Sequence, residues 1–187
     1  MLAMELLKKY VKYILKESLD PVSATAQYAH LGQKRRTGEP YIMHPERVSE
    51  IVSLYYPGNR VARMTALLHD TLEDAIKQGN VADEEEMIAL IDDSIDDDAE
   101  AEEVVTSVLA LTRHTSVDYE SYLLSILNLE NAVIVKMADM LDNLQDNPSK
   151  NQKLKYGKAL MSVEDYFGGM PPFLHPQHWQ DLLDIIN

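Results

Sequence analysis

Apolar residues recur at intervals of three and four along almost the whole chain, and alternation with a period of two is nearly absent. The first spacing lines up apolar side chains on one face of an α-helix, whereas alternation is typical of a half-buried strand. Val61, Met64, Leu67 and Leu68 form one such stripe. The periodicity therefore predicts an all-α protein.

Proline and glycine divide this pattern into successive helices. At 187 residues and without an internal repeat, the chain is expected to form a single domain over 1–187. Gly168-Gly169 and the prolines that follow predict a break before a short C-terminal helix. The helices are predicted at about 7–16, 22–31, 45–55, 60–76, 84–91, 99–111, 129–144, 153–167 and 179–186.

The net charge of −14 and the absence of cysteine exclude several classes of protein. A chain this acidic repels a polyanion, so a nucleic acid polymer is not an expected partner. Disulfides and thiolate chemistry are ruled out. The apolar N-terminal residues are interrupted by lysines, and no apolar stretch approaches the ~20 residues of a membrane span, so a cytoplasmic protein without a membrane partner is expected. The acidic run at 92–103 is interpreted as a solvated helix entrance.

Residues 67–74, with the sequence LLHDTLED, bring four titratable groups close together. On a continuous helix, His69 would lie above Glu73 and Asp70 above Asp74. One imidazole beside three carboxylates is unfavourable unless a cation or water compensates them. An acidic helix end and a metal site are both compatible with this segment.

Asp139 lies within an otherwise apolar helix, where an unpaired carboxylate is costly to bury. Lys136 and Asn143 are three and four residues away on the same side. One interpretation is a Lys136–Asp139 ion pair on a partly exposed face. The other makes Asp139 a metal ligand and Asn143 a hydrogen-bond donor to it or to a substrate.

The loop before His44 is the most basic part of this acidic chain, with the run Lys34-Arg35-Arg36. The planar arginine fork suits phosphate. Gly38 and Pro40 are expected to shape the loop, Tyr41 to fix it by packing, and His44 to stand at a helix start. A solvated basic loop followed by a capping histidine is the simpler alternative.

Taken together, these segments resemble the hydrolase domain of the Rel/SpoT alarmone enzymes and their small single-domain relatives in the HD superfamily. The resemblance covers about residues 23–159 and rests on five motifs in order. They are AHLGQ at 29–33, GEPYIMHP at 38–45, ALLHDTLED at 66–74, LTR at 111–113 and KMAD at 136–139.

The resemblance implies a compact HD-domain bundle of about ten helices and a metal-dependent phosphohydrolase. His44, His69, Asp70 and Asp139 match the family's four metal ligands. The implied metal is a divalent cation, typically Mn²⁺, although Fe²⁺, Mg²⁺ and Zn²⁺ also suit imidazole and carboxylate ligands.

The remaining implied roles concern water and substrate. Glu73 and Asp74 match the acidic pair that orients or deprotonates the attacking water. Arg35, with Arg36 beside it, and Asn143 match residues that contact the nucleotide. The implied reaction removes the 3′-pyrophosphate of guanosine tetra- or pentaphosphate.

Two alternatives remain open at this point. One is an HD phosphohydrolase of another nucleotide or phosphomonoester, and the other is a nucleotide-sensing module without turnover. The segment 79–103 is more acidic than in relatives, and the resemblance fades after Ala159. The oligomeric state is not indicated by the sequence.

Overall fold

The computed structural model describes residues 20–113 and 116–186, and the predicted helix near 7–16 lies outside them. Within the described ranges the chain forms ten helices and no strand, with one isolated antiparallel bridge between Lys34 and Pro40. The all-α expectation is confirmed. The helices are α1 (Pro21–Ala29), α2 (Met43–Tyr55), α3 (Arg60–Leu68), α4 (Thr71–Gln78), α5 (Glu84–Asp92), α6 (Asp98–Leu111), α7 (Tyr119–Ile126), α8 (Glu130–Gln145), α9 (Lys150–Phe167) and α10 (Pro176–Ile186).

The predicted single helix over 60–76 is wrong, because the structure divides it into α3 and α4 at His69 and Asp70. At this break, side chains form hydrogen bonds with backbone carbonyl oxygens. The ring of His69 bonds through Nδ1 to the carbonyl of Ala66 at 2.8 Å, and the Thr71 hydroxyl donates to the carbonyl of Leu68 at 2.7 Å. Such local bonds compete with helix continuation. His69 and Asp70 therefore lie between the two helices, as the C-cap of α3 and the N-cap of α4.

Helix α7 was not predicted from the sequence. It begins after Asp118, whose side chain accepts the backbone N–H of Ser121 at 2.9 Å. Tyr122 and Leu123 are among the residues that this short helix buries. With only 8 residues, it offers too few turns for a distinct periodicity.

Helix α8 is the central element of the fold. Twelve of its 16 residues are buried, including Asp139 and Asp142, and it packs against α2, α3 and α10. A helix that is apolar on nearly every side belongs in an interior. Two carboxylates on such a helix therefore need partners within the protein.

Two apolar clusters support the bundle. The larger surrounds α8 and includes Ile134, Met137 and Leu182, each at most 1 % exposed. The second lies between α1 and α3–α6 and includes Leu68 and Met87. Since Leu68 immediately precedes His69, this second cluster anchors the break between α3 and α4.

The acidic run at 92–103 serves as a helix entrance, as the sequence predicts. Asp97 caps α6 by accepting the backbone N–H groups of Ala99 and Glu100 at 3.1 and 3.0 Å. Among the described helices, none has the length and the apolar character required to cross a bilayer.

Candidate metal centre

Four side chains from separate parts of the chain converge at one point in the interior. His44 stands in the first turn of α2, His69 and Asp70 form the break between α3 and α4, and Asp139 lies in the middle of α8. Donor atoms of His44, His69 and Asp70 lie within 4.8 Å of one another. Asp139 Oδ1 is 3.2 Å from His44 Nε2 and 3.9 Å from His69 Nε2. The structure thus brings together all four residues that the sequence suggested as ligands.

Both imidazole rings are oriented with Nε2 toward this point. His44 Nδ1 contacts Asp142 Oδ2 at 2.7 Å, and His69 Nδ1 contacts the Ala66 carbonyl oxygen at 2.8 Å. Because each contact is with an acceptor, each Nδ1 carries the proton in a neutral ring, and Nε2 presents its lone pair. His69 Nε2 is buried without a hydrogen-bond partner. Two imidazoles and two carboxylates leave open positions on an octahedral divalent cation, so the donor set fits the metal that the resemblance implies.

The charges around this point are strongly coupled. Burial alone would lower the pKa of His44, but Asp139 and Asp142 raise it to about 9. Burial likewise disfavours the charged form of His69, and Asp70 and Asp139 nevertheless raise its pKa. The neighbouring carboxylates therefore favour the protonated form of His44, and a divalent cation can replace that proton.

Asp139 contacts both of the side chains that its position in the sequence suggests as partners. Lys136 Nζ donates to its Oδ2 at 2.8 Å, and Asn143 Nδ2 donates to its Oδ1 at 2.5 Å. Burial would raise the pKa of Asp139, but Lys136 and the two imidazoles hold it well below the usual value. Asp139 is buried, Lys136 is half-buried, and the same carboxylate faces His44.

Glu73 and Asp74 lie on α4 but in different surroundings. Glu73 accepts the backbone N–H of Arg113 at 3.0 Å and Lys77 Nζ at 3.1 Å. Asp74 Oδ2 accepts Gln33 Nε2 at 2.9 Å. Burial and the charge of Asp70 raise the pKa of Asp74 despite that bond. A carboxylate with a raised pKa is a better proton acceptor.

Gln33 is oriented in turn by His30. The two side chains meet at 2.8 Å between His30 Nδ1 and Gln33 Oε1, which leaves the Gln33 amino group for Asp74. The sequence contains both residues in the motif AHLGQ, but nothing in their spacing indicated a path to Asp74, since the hydrogen bond from Gln33 joins residues 41 positions apart.

Arg35 and Arg36 line a cleft of about 350 Å³ together with Tyr41, Asn143 and Gln152. Arg35 is directed toward α8, where its guanidinium contacts Asn143 Oδ1 at 3.1 Å and a carboxylate oxygen of Asp146 at 3.3 Å. Arg36 is exposed. Since Asn143 also contacts Asp139, the cleft adjoins the centre.

Tyr41 is more than a packing residue. Its hydroxyl donates to Asp70 Oδ2 at 2.7 Å, which fixes the carboxylate that faces both imidazoles.

Asp142 and Arg47 were not singled out from the sequence. Asp142 follows Asp139 by three residues, which places both on one face of α8 and was the available signal.

Comparison with known proteins assigns the chain to a family. The HD domain family matches residues 23–163, which is well over half of the chain. The chain therefore belongs to the HD-domain family. Within it, the chain resembles the hydrolase domain of the Rel/SpoT enzymes, as the sequence motifs predict.

Curated relatives have names from the same group. The chain is 30% identical over 155 residues to a guanosine-3′,5′-bis(diphosphate) 3′-pyrophosphohydrolase of Borreliella burgdorferi, which covers 76% of this chain and 21% of that protein. It is 30% identical over 145 residues to the protein of the same name from Haemophilus influenzae, covering 69% and 19%. It is 26% identical over 144 residues to a GTP pyrophosphokinase of Myxococcus xanthus, covering 72% and 18%. The chain spans about a fifth of the length of these relatives.

Proposed function

We propose that this protein is a metal-dependent phosphohydrolase that removes the 3′-pyrophosphate from guanosine-3′,5′-bis(diphosphate) or a closely similar nucleotide. The observation that carries the proposal is the convergence of His44, His69, Asp70 and Asp139 beside a cleft lined by cations. Family membership and the names of the curated relatives support the same class of reaction.

The four converging residues would hold one divalent cation, with Mn²⁺ as the first choice. A cation bound there supplies Lewis acidity, which activates water and offsets the negative charge that develops on phosphorus. The protein's own contribution is to keep the donors preoriented. Tyr41 fixes Asp70 through its hydroxyl, and Lys136 keeps Asp139 ionised.

Asp74 is the residue proposed to take the proton from the attacking water. Its raised pKa suits a proton acceptor, and Gln33 holds its Oδ2, while its Oδ1 lies 3.7 Å from Lys77 Nζ. Glu73 is proposed to assist by ordering this water. Its bonds to Lys77 and to the backbone of Arg113 hold its carboxylate in a defined orientation.

The basic loop is the proposed phosphate-binding element. Arg36 is exposed at the rim of the cleft and is free to turn toward a polyphosphate. Arg35 and Asn143 form a hydrogen-bonded pair at the border between the cleft and Asp139. A nucleotide in the cleft would thus reach the centre with its phosphates leading.

The direct test is to supply the purified protein with Mn²⁺ and guanosine-3′,5′-bis(diphosphate) and to measure released pyrophosphate and phosphate separately. The proposal predicts pyrophosphate release that requires the metal and is lost in His69→Ala. The matched control is His175→Ala, which removes an exposed imidazole in the C-terminal segment. Equal turnover in the two variants would contradict the proposed site.

A second candidate is an HD phosphohydrolase that acts on a less highly charged nucleotide or phosphomonoester. The observation in its favour is the pairing of Arg35 with the carboxylates of Asp142 and Asp146, which reduces the positive charge available in the cleft. A panel of nucleoside mono-, di- and tetraphosphates separates the candidates. Turnover of monophosphates with release of inorganic phosphate would support the second.

A further inference from the structure

One buried carboxylate near the metal centre has no role in the proposed reaction so far. Asp142 is 3 % exposed and lies one turn of α8 beyond Asp139. It contacts an imidazole and two guanidinium groups. Burying a carboxylate is costly unless such partners are present. Helix packing alone therefore does not account for the burial of Asp142.

The first partner of Asp142 is a proposed metal ligand. Its Oδ2 contacts His44 Nδ1 at 2.7 Å, which leaves His44 Nε2 as the atom facing Asp139 and Asp70. A carboxylate bonded to the remote nitrogen of a ligating imidazole sets the tautomer and the ring orientation, and it makes the ligating nitrogen more basic.

The other two partners keep Asp142 in place. Arg47 Nε donates to Oδ1 at 2.6 Å and its Nη2 approaches Oδ2 at 3.3 Å, while Arg35 Nη1 donates to Oδ2 at 3.2 Å. Glu39 Oε1 also accepts from Arg47 Nη2 at 3.1 Å. The orientation of His44 thus depends on a network that begins in the basic loop.

We propose that Asp142 is a positioning residue that prepares His44 for metal binding, with Arg47 and Arg35 as its supports. The inference rests on the proposed metal centre and extends it to a residue that does not face the cation. Asp142 links the metal ligand to the arginine at the nucleotide cleft, because both bond to the same carboxylate oxygen.

The test is a titration of the metal-free, substrate-free protein with Mn²⁺ by isothermal calorimetry. Asp142→Ala is expected to weaken Mn²⁺ binding by about 10- to 100-fold, and Asp142→Asn by less, because asparagine retains one acceptor of similar shape. Arg47→Gln changes a partly exposed residue that supports Asp142, and we expect it to weaken Mn²⁺ binding by less than Asp142→Ala does.

The matched control is Asp146→Asn, which removes a carboxylate that contacts Arg35 just after the end of α8 and has no contact with His44. Its Mn²⁺ affinity should equal that of the unaltered protein. Circular dichroism melting of each metal-free variant verifies that the fold is retained.

The outcomes separate this inference from the proposed function. An unaltered protein that binds no divalent cation would contradict the metal centre itself. If the unaltered protein, Asp142→Asn and Asp142→Ala all bind Mn²⁺ with the same affinity, the positioning role of Asp142 is contradicted. An equal loss in Asp146→Asn would also overturn it, since the effect would then be general electrostatics.

Discussion

Binding of a divalent cation to this protein should release protons. His44 has its pKa raised to about 9, and the pKa of His69 is raised as well. At about pH 7.5 a group with a pKa near 9 is almost fully protonated, and a protonated imidazole has no lone pair for a metal. Asp70 and Asp139 are already ionised, because their pKa values are held below the usual range.

The expected magnitude follows from these groups. Mn²⁺ binding at about pH 7.5 should release about one proton from His44, and more as His69 contributes. The logarithm of the binding constant should therefore rise with pH with a slope of at least about one, and it should flatten above the pKa of His44. Calorimetric titrations in buffers of different ionisation enthalpy measure the number of protons directly.

The same shift affects the stability of the metal-free protein. The folded-state pKa of His44 is raised above its ordinary value of 6.5, so its stabilising contribution is fully present below about pH 6.5 and is lost as pH rises through about 9. The difference between these two pKa values of His44 corresponds to a contribution of about 3 kcal/mol at most to the free energy of unfolding. Urea denaturation in the presence of a chelator should show this decline.

Binding of Mn²⁺ without proton release, with an affinity independent of pH between about 6.5 and 9, would refute the reasoning. It would mean that the imidazoles are neutral in the metal-free protein and that the carboxylates are balanced in another way.

Three further predictions concern substitutions with distinct outcomes. Lys136→Met should destabilise the metal-free protein by about 1–3 kcal/mol, since it removes one charged hydrogen-bond donor from Asp139 while His44 and Asn143 remain, and a loss under about 0.5 kcal/mol in urea denaturation would contradict this. Gln33→Leu should lower kcat about 10-fold or more while KM and Mn²⁺ affinity stay unchanged, because it releases the proposed proton acceptor, and an effect confined to KM would argue against that role. Leu182→Ala in the core should cost about 2–5 kcal/mol, against less than about 0.5 kcal/mol for Leu54→Ala on the surface, as checked by thermal melting.

The helical fold was predictable because the buried face of each helix requires apolar residues at helical spacing in the sequence. Helix α8 is an example: its predicted range of 129–144 is one residue away from the observed Glu130–Gln145 at each end. The break at His69 was not predictable in this way, since it depends on hydrogen bonds from His69 and Thr71 to nearby carbonyls. Periodicity carries no information about such bonds.

The candidate site also contains some residues that the sequence could indicate and others that it could not. His44, His69, Asp70 and Asp139 could be named from motifs, and the structure places them within reach of one another. Their supporting partners could not. Tyr41 and Asp70 are 29 positions apart, and Asp142 and His44 are 98 positions apart, so only the folded chain reveals these pairs.

The most direct test of the central claim is the stoichiometry of Mn²⁺ binding, measured by electron paramagnetic resonance in the unaltered protein and in Asp139→Asn. We expect one tightly bound Mn²⁺ per chain and an affinity reduced by more than about 100-fold in the variant, since the loss of a ligand should weaken binding more than the loss of an outer-shell partner. Unchanged binding in Asp139→Asn would show that the converging residues do not form the metal site.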